Sequence, residues 1–354
     1  MKRIFMIGPS PKSKGGIASV ISEYHLKGLI SKWSIVFCPT HVEGGKFEKL
    51  SCVTTSLVRF LSMLVTDQIA LLHLHVARRN SFWRKAIFMQ LAFWARCPVL
   101  IHLHSGGFPA FYEDECGYLK KALVRYFLER ASALIVLTES WKDAYAQFRP
   151  RKLVVVPNFV ALQPLNKEPD RPTLVFLGRL TQEKGFFDLL NAIALLQNRY
   201  PDLLVRICGE GDFIIIKELL RQLNILNLVR LEGWVDGDLK RQMLCNASVF
   251  VLPSYVEGLP MGVLEAMSCG LPVIATRVGG IPDIIEHEVN GILVESGHPK
   301  ELADQIARLL SDTAFRKRLA VAGRQTIKQR YSVEAVLPSL ENLYRQAGLT
   351  PDPS

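Results

Sequence analysis

The chain has 354 residues, 49% of them apolar and 21% charged. That is more than one hydrophobic core usually serves, so two domains are expected, and the composition excludes a disordered or low-complexity polypeptide. The net charge of +10 is concentrated in residues 1–165, where 22 Lys and Arg face 10 Asp and Glu. An anionic partner for that half (acidic lipid head groups, a pyrophosphate-linked lipid or nucleic acid) and a merely solvated basic surface both stay open on charge alone.

The first apolar run, residues 4–7, is too short for the apolar region of a signal peptide and reads as a buried strand. No long uncharged apolar segment is suited to crossing a membrane. A cytoplasmic protein is expected, with peripheral contact to the inner membrane surface through the basic half, including Arg78, Arg79, Arg84 and Lys85. The seven cysteines form no C-x-x-C pair and read as reduced thiols. Apolar runs at 2–7, 34–38, 69–74, 99–102, 133–137 and 153–156 predict strands. Between them, helical periodicity marks 17–29, 57–65, 81–95, 118–130 and 140–148. The stretch 81–96 is apolar on most sides and carries two Trp; burial against the sheet is expected rather than insertion in a membrane interface.

Residues 157–172 carry four prolines and no periodicity, which marks a linker. The alternation then restarts with strands at 173–177, 203–207, 229–232, 248–252 and 273–276. Helices are expected at 186–198, 214–223, 238–246, 261–269, 299–310, 314–329 and 333–346, before a disordered tail at 351–354. Strand–helix alternation with continuously apolar strands predicts α/β architecture: two doubly wound parallel sheets covered on both faces. The expected division is 1–165, 166–330 and a C-terminal segment 331–354 that packs back toward the first domain. Two such domains would face across a cleft between the carboxyl edges of their sheets, where ligands of open α/β sheets bind.

The most informative segment is Glu257-Gly258-Leu259-Pro260-Met261-Gly262-Val263-Leu264-Glu265. Pro260 suits the first helical position, where a missing N–H costs nothing. Glu257 would then lie in the loop before a helix and Glu265 more than a turn inside it. The amides around Gly258, Leu259 and Gly262 would face an anion at the helix start. Arg179 and Lys184, five residues apart after the strand at 173–177, could cradle a diphosphate and neutralise a leaving group. His104 follows the strand at 99–102, where it could donate to a sugar hydroxyl or support developing positive charge. His-Leu-His occurs twice, at His73/His75 and His102/His104, and i,i+2 histidines share a strand face. No Asp, Glu or Cys completes a metal set, and no metal is expected. Gly15 and Gly16 open the first helix after a loop carrying Lys12 and Lys14, allowing close backbone approach; the spacing is not that of a P-loop. Gly209 in Gly209-Glu210-Gly211 would let a nucleotide base approach.

The acidic segment resembles the Glu-x7-Glu motif of retaining GT-B glycosyltransferases of the group 1, or family-4, class. The resemblance extends through Gly15-Gly16-Ile17, His104-Ser105-Gly106-Gly107, Val156-Pro157-Asn158, Gly178-Arg179-Leu180 with Glu183-Lys184-Gly185, Gly209-Glu210-Gly211 and Gly279-Gly280-Ile281-Pro282-Asp283. It implies a GT-B pair of Rossmann-like domains, with a nucleotide-sugar donor in the second and an acceptor in the first. It assigns Arg179 and Lys184 to the donor phosphates, Glu265 to ribose hydroxyls and Glu257 to the transferred sugar. It assigns His104 to the active site, and Lys12, Lys14, Gly15 and Gly16 to the acceptor side, with Gly16 also touching donor phosphate. It implies a retaining, metal-independent hexosyl transfer from a UDP- or GDP-sugar, without a cofactor. The expected acceptor is a carbohydrate or lipid-linked saccharide of surface polysaccharide synthesis. Phe159 and Asp283 depart from the pattern, which more often has glycine and glutamate there. The alternatives are a GT-B epimerase or phosphorylase-like enzyme, a donor-binding scaffold without catalysis, and a basic nucleic-acid binder. No recognised motif supports the last, and no nucleic-acid partner is expected.

Overall fold

A computed structural model describes residues 2–352. The chain forms two compact units, one running to Phe159 and resuming at Val333, the other spanning Val160–Ser332. The expected boundary at 165/166 therefore moves to 159/160. Val160 forms an isolated parallel bridge with Ser332, and its N–H donates to the Tyr331 carbonyl, so the second unit begins and ends at one point.

The first unit holds a parallel sheet of β1 (Arg3–Pro9), β2 (Val36–His41), β3 (Ile69–Val76), β4 (Val99–Leu103), β5 (Ala133–Val136) and β6 (Leu153–Val155). Its order is β2-β1-β3-β4-β5-β6. This is the flavodoxin-like winding, with the switch point between β1 and β3. Ile4, Phe5, Met6 and Ile7 are completely buried, as a strand covered on both faces requires. The helices Gly16–Leu26, Lys46–Val65, Asn80–Trp94 and Tyr118–Arg130 make the crossovers. Helix Lys46–Val65 begins eleven residues earlier than its apolar periodicity suggested. Its first turns are exposed, Phe47 and Leu50 included, and Glu48 caps the Gly45 amide. Helix Asn80–Trp94 buries Phe82, Phe88, Met89 and Ala92, as expected, and exposes Trp94.

The last helix, Val333–Gln346, packs within this first unit: the Tyr344 hydroxyl lies 2.8 Å from His73 Nδ1, and Lys32 Nζ reaches Glu341 Oε1 at 2.6 Å. Part of the tail expected to be disordered is tied down. The Asp352 N–H donates to the Lys32 carbonyl at 2.8 Å, and Ser34 donates to the Asp352 carboxylate. Residues 353 and 354 lie outside the described residues.

The second unit holds β7 (Thr173–Leu177), β8 (Leu204–Cys208), β9 (Val229–Gly233), β10 (Val249–Leu252), β11 (Val273–Thr276) and β12 (Ile292–Val294). Its parallel order is β12-β11-β10-β7-β8-β9. Read from the other edge, this is the 3-2-1-4-5-6 winding of dinucleotide-binding sheets, with its switch point between β7 and β10. Paired positions between these two strands end at Phe250↔Val175, whereas β7 and β8 pair through Leu177↔Cys208. The carboxyl ends of β7 and β10 thus separate at the place where such sheets bind ligands. The strand β12 was missed in the sequence; it has three residues, too few to show a period.

Candidate active site

The switch point of the second unit gathers the residues that follow β7 and β10. Lys184 ends a short 3-10 turn after β7, and Glu257 lies in the loop between β10 and helix Met261–Ser268. Lys184 Nζ donates to Glu257 Oε1 at 2.6 Å. The same oxygen accepts from Ser254 Oγ at 2.7 Å. Glu257 is 7% exposed and the Lys184 side chain 28%, so the pair is largely withdrawn from water yet the cation reaches it. A buried carboxylate held twice is fixed in position, and the ammonium beside it keeps donors for an arriving anion.

Three glycines explain how these loops come so close. Gly185 has φ +65°, and a Cβ there would sit 1.8 Å from the Pro253 carbonyl oxygen. The turn carrying Lys184 can therefore lie directly on the end of β10. Gly279 backs the other side: at φ +56° a Cβ would sit 2.0 Å from the Glu257 carbonyl oxygen, and the Gly280 N–H donates to the Gly258 carbonyl at 2.8 Å. The Gly279-Gly280 pair is thus a support for the Glu257 loop. Gly209 serves β7 in the same way: a Cβ there would sit 1.7 Å from the Gly178 carbonyl oxygen. A glycine at 209 is thus required by the protein's own packing, whatever ligand approaches it. The residue is buried against the protein's own backbone, and the loops interlock through Gly178 N–H to the Cys208 carbonyl and Leu180 N–H to the Glu210 carbonyl.

The helix starts at Met261 as expected, and Pro260 is its N-cap rather than its first residue. The Pro260 carbonyl accepts from Val263 and Leu264, so the helix, with its unpaired first amides, begins in the loop that follows β10 at the switch point. Leu259 is buried, and Gly262 is half-buried beside Phe250. Glu265 is half-buried and paired with Lys240 of helix Gly237–Cys245, Nζ to Oε1 at 2.6 Å. Lys240 escaped the sequence reading. Its only signal was its place on the crossover helix immediately before β10, which puts it beside helix Met261–Ser268. Arg179 is exposed just beyond β7, and no ion pair of its side chain occurs among the described residues. It is the freer of the two cations assigned to phosphate.

In the first unit, Gly15 caps helix Gly16–Leu26 with φ +129°, and nothing lies within 4 Å of a Cβ built there. The loop after β1 is open at the β1/β3 switch point, with Lys12 exposed and the Lys14 N–H donating to Glu43 Oε1 at 3.1 Å. His104 follows β4, its N–H donating to the Val76 carbonyl at 2.9 Å. Its Nε2 lies 2.8 Å from His75 Nδ1 and is engaged inward, and its Nδ1 is buried, with the Asn158 side chain against the ring. Burial, then the neighbouring His102, holds His104 well below the usual imidazole range, so the ring is neutral. Lys12, Lys14, Gly15 and Gly16 share one βα loop, and His104 follows a different strand of the same sheet.

Two expectations change. Lys85, counted among the basic surface residues, is 1% exposed, and its Nζ donates to Ser81 Oγ at 2.7 Å. Burial, reinforced by Arg84, pushes its pKa down to about 7. Arg79 forks onto Glu115 through two bonds of 2.6 Å. Phe159, where glycine is commoner, is buried and stacks on Tyr24 with ring centroids 5.5 Å apart. No helix is long and apolar enough to cross a membrane among the described residues.

Comparison with known proteins agrees with this layout. Residues 160–326 match the family "Glycosyl transferases group 1", and residues 35–163 match "Glycosyltransferase Family 4". Among curated relatives, an uncharacterized glycosyltransferase of Methanocaldococcus jannaschii is 35% identical over 51% of this chain and 46% of its own length. An alpha-D-kanosaminyltransferase of Streptomyces kanamyceticus is 26% identical over 71% of each chain. The chain spans about half the length of the first such relatives, 46% and 58%. Among solved structures, a sucrose-phosphate synthase from Thermosynechococcus elongatus superposes with TM-score 0.80 at 20% identity, over 98% of this chain and 99% of that one. Anabaena HepE in complex with UDP gives 0.74 at 20% identity, over 98% and 100%. These likenesses carry the fold, which is GT-B: two α/β domains, each built on a parallel six-stranded sheet. With the two family matches together running from residue 35 to 326, the chain belongs to the group 1/family 4 glycosyltransferases.

Proposed function

We propose that the protein is a retaining glycosyltransferase that moves a hexosyl unit from a UDP- or GDP-sugar to an acceptor hydroxyl. The observation that carries the proposal is the Lys184–Glu257 pair at the β7/β10 switch point, 2.6 Å between Nζ and Oε1. A nucleoside diphosphate sugar presents an anion and a set of hydroxyls side by side, and this pair offers a cation and a carboxylate side by side. On donor binding, Lys184 and Arg179 would take the pyrophosphate with the first amides of helix Met261–Ser268. Glu257, held by Ser254, would accept from hydroxyls of the transferred sugar. Glu265, braced by Lys240, would accept from the ribose hydroxyls.

Transfer then depends on charge stabilisation. As the glycosidic bond breaks, the negative charge on the departing phosphate is met by Arg179, Lys184 and the helix amides, fixed beforehand by the glycine-supported loops. The leaving phosphate oxygen takes the proton of the acceptor hydroxyl, which attacks from the same face. His104 would donate to a sugar hydroxyl. The chain's own residues need no metal or cofactor for these steps. The basic first unit suits an acceptor that carries phosphate, and a lipid-linked saccharide of surface polysaccharide synthesis at the cytoplasmic membrane face is the acceptor we favour. The relatives' names include a UDP complex of Anabaena HepE and an alpha-maltose-1-phosphate synthase of Mycobacterium tuberculosis, consistent with a nucleotide-sugar donor and a phosphorylated partner.

Thermal-shift screening against UDP-, GDP- and ADP-sugars tests the donor class, since a ligand that binds only the folded chain raises its melting temperature. One donor should shift it, and that donor with a lipid-phosphate-linked saccharide should yield an α-linked product. Free sugar-nucleotide isomers formed without acceptor would show an epimerase instead. No shift with any sugar nucleotide would refute the reading.

A further inference from the structure

Four histidines of the first unit lie together on one face of its sheet, and the transfer chemistry above uses only His104. His73 and His75 alternate along β3, His102 pairs with His75 across the β3–β4 ladder, and His104 follows. Their rings lie against one another, tilted by about a third of a right angle, with centroids 4.6 Å apart for His73–His75 and 5.2 Å for His75–His102. His73, His75 and His102 are at most 1% exposed. One ring nitrogen from each of these three lies within 4.8 Å of the other two.

One ring nitrogen of each is already engaged. His102 Nε2 faces the Val156 carbonyl at 3.1 Å, and a carbonyl only accepts, so this nitrogen carries the proton and Nδ1 presents a lone pair. His73 Nδ1 is 2.8 Å from the Tyr344 hydroxyl, and His75 Nδ1 is 2.8 Å from His104 Nε2. If both donate, as those partners allow, His73 Nε2 and His75 Nε2 present lone pairs as well. His73 Nε2, His75 Nε2 and His102 Nδ1 are buried and have no hydrogen-bond partner. Three buried polar atoms of one histidine cluster are then left unsatisfied, unless an electron-pair acceptor sits among them.

We propose that His73, His75 and His102 form a binding site for a divalent transition-metal ion of the zinc class. Metal-binding imidazoles ordinarily have the second ring nitrogen held by a carbonyl or another outer partner, and Val156, Tyr344 and His104 supply those partners here. A set of three neutral imidazoles without a carboxylate favours zinc or cobalt, and disfavours magnesium and calcium, which need oxygen ligands. Three protein ligands leave a fourth position open for water or hydroxide. The ion would lie beside His104, so it would fix His75 and through it the His104 ring. It is independent of the donor-site assignment, since none of its ligands belongs to the second unit.

The test uses untagged full-length protein, stripped with EDTA, desalted and titrated with cobalt or zinc. About one cobalt per chain, with the intense visible absorption of tetrahedral cobalt and displacement by zinc but not by magnesium, is expected. X-ray absorption of the zinc-loaded wild type should show three imidazole nitrogens at about 2.0–2.1 Å. His75→Gln or His102→Gln should abolish the absorption, while His25→Gln and His298→Gln at the surface should keep it. A folded wild type that takes up no cobalt overturns the proposal. So does a zinc shell dominated by sulfur, or uptake undiminished in a folded His102→Gln. Should the cluster variants fail to fold, the wild-type titration and absorption shell decide the matter alone.

Discussion

Replacing Lys184 by alanine separates the charge that meets the leaving group from the scaffold that holds it. Lys184 Nζ is fixed 2.6 Å from Glu257 Oε1, and Glu257 keeps the Ser254 hydroxyl at 2.7 Å when the lysine is gone. Breaking a fully buried pair by removing one partner costs about 3–5 kcal/mol. The Lys184 side chain is 28% exposed, and one hydrogen bond to Glu257 survives, so the loss of stability should fall to about 1–3 kcal/mol. For a domain of this size that is roughly 2–10 °C in melting temperature. The effect on catalysis should be larger. Removing one preorganised group that stabilises transition-state charge costs about 10²–10³ in kcat. Lys184→Arg keeps the charge and should recover part of that loss. The assay is initial-rate transfer from the donor found by thermal shift, with circular dichroism to establish folding. A folded Lys184→Ala enzyme within about threefold of wild-type kcat, less than 1 kcal/mol of barrier, would remove Lys184 from the mechanism.

Glu265→Ala should raise KM for the nucleotide sugar more than it lowers kcat, because Glu265 is assigned to the ribose and not to the reacting centre; a fall in kcat alone would contradict that assignment. Gly185→Ala places a Cβ 1.8 Å from the Pro253 carbonyl oxygen at φ +65°, so it should cost several kcal/mol, well beyond the roughly 1–3 kcal/mol of left-handed strain alone, read from urea denaturation. The histidine ladder should make stability depend on pH. Burial holds His73, His75, His102 and His104 below the usual 6.5, with His102 pushed down to about 3. Below pH 6.5 the unfolded chain takes up protons that the folded chain refuses, so stability falls as pH drops from 6.5 toward 3, by about 1.4 kcal/mol per unit for each such histidine. Urea midpoints in EDTA at pH 7.5 and 5.5 should differ, and equal midpoints would refute the ladder's neutrality.

Much of the fold was legible because parallel strands buried on both faces are continuous apolar runs. The strands Thr173–Leu177 and Val273–Thr276 and the helix Val333–Gln346 begin and end where the sequence pattern says. The Glu257–Glu265 segment also announced its loop and helix. What escaped was tertiary. Lys184 and Glu257 are 73 positions apart, and nothing local pairs them. The Lys240 partner of Glu265 depends on how two crossover helices pack. Lys85 reads as a surface cation because a helix face is ambiguous in an apolar stretch, and only the packed structure buries it. Gly209 read as a ligand-facing glycine, whereas close contact with the Gly178 carbonyl already demands it, and the Glu257 carbonyl demands Gly279 in the same way. The two His-Leu-His repeats showed a shared face along each strand, but not that β3 and β4 are neighbours in register.

The most direct measurement is a crystal structure of the protein with its nucleotide sugar and an unreactive acceptor. The account predicts the pyrophosphate against Arg179, Lys184 and the start of helix Met261–Ser268, with Glu257 on the sugar and Glu265 on the ribose. A diphosphate bound away from the β7/β10 switch point, with Lys184 and Glu257 still joined only to each other, would contradict it.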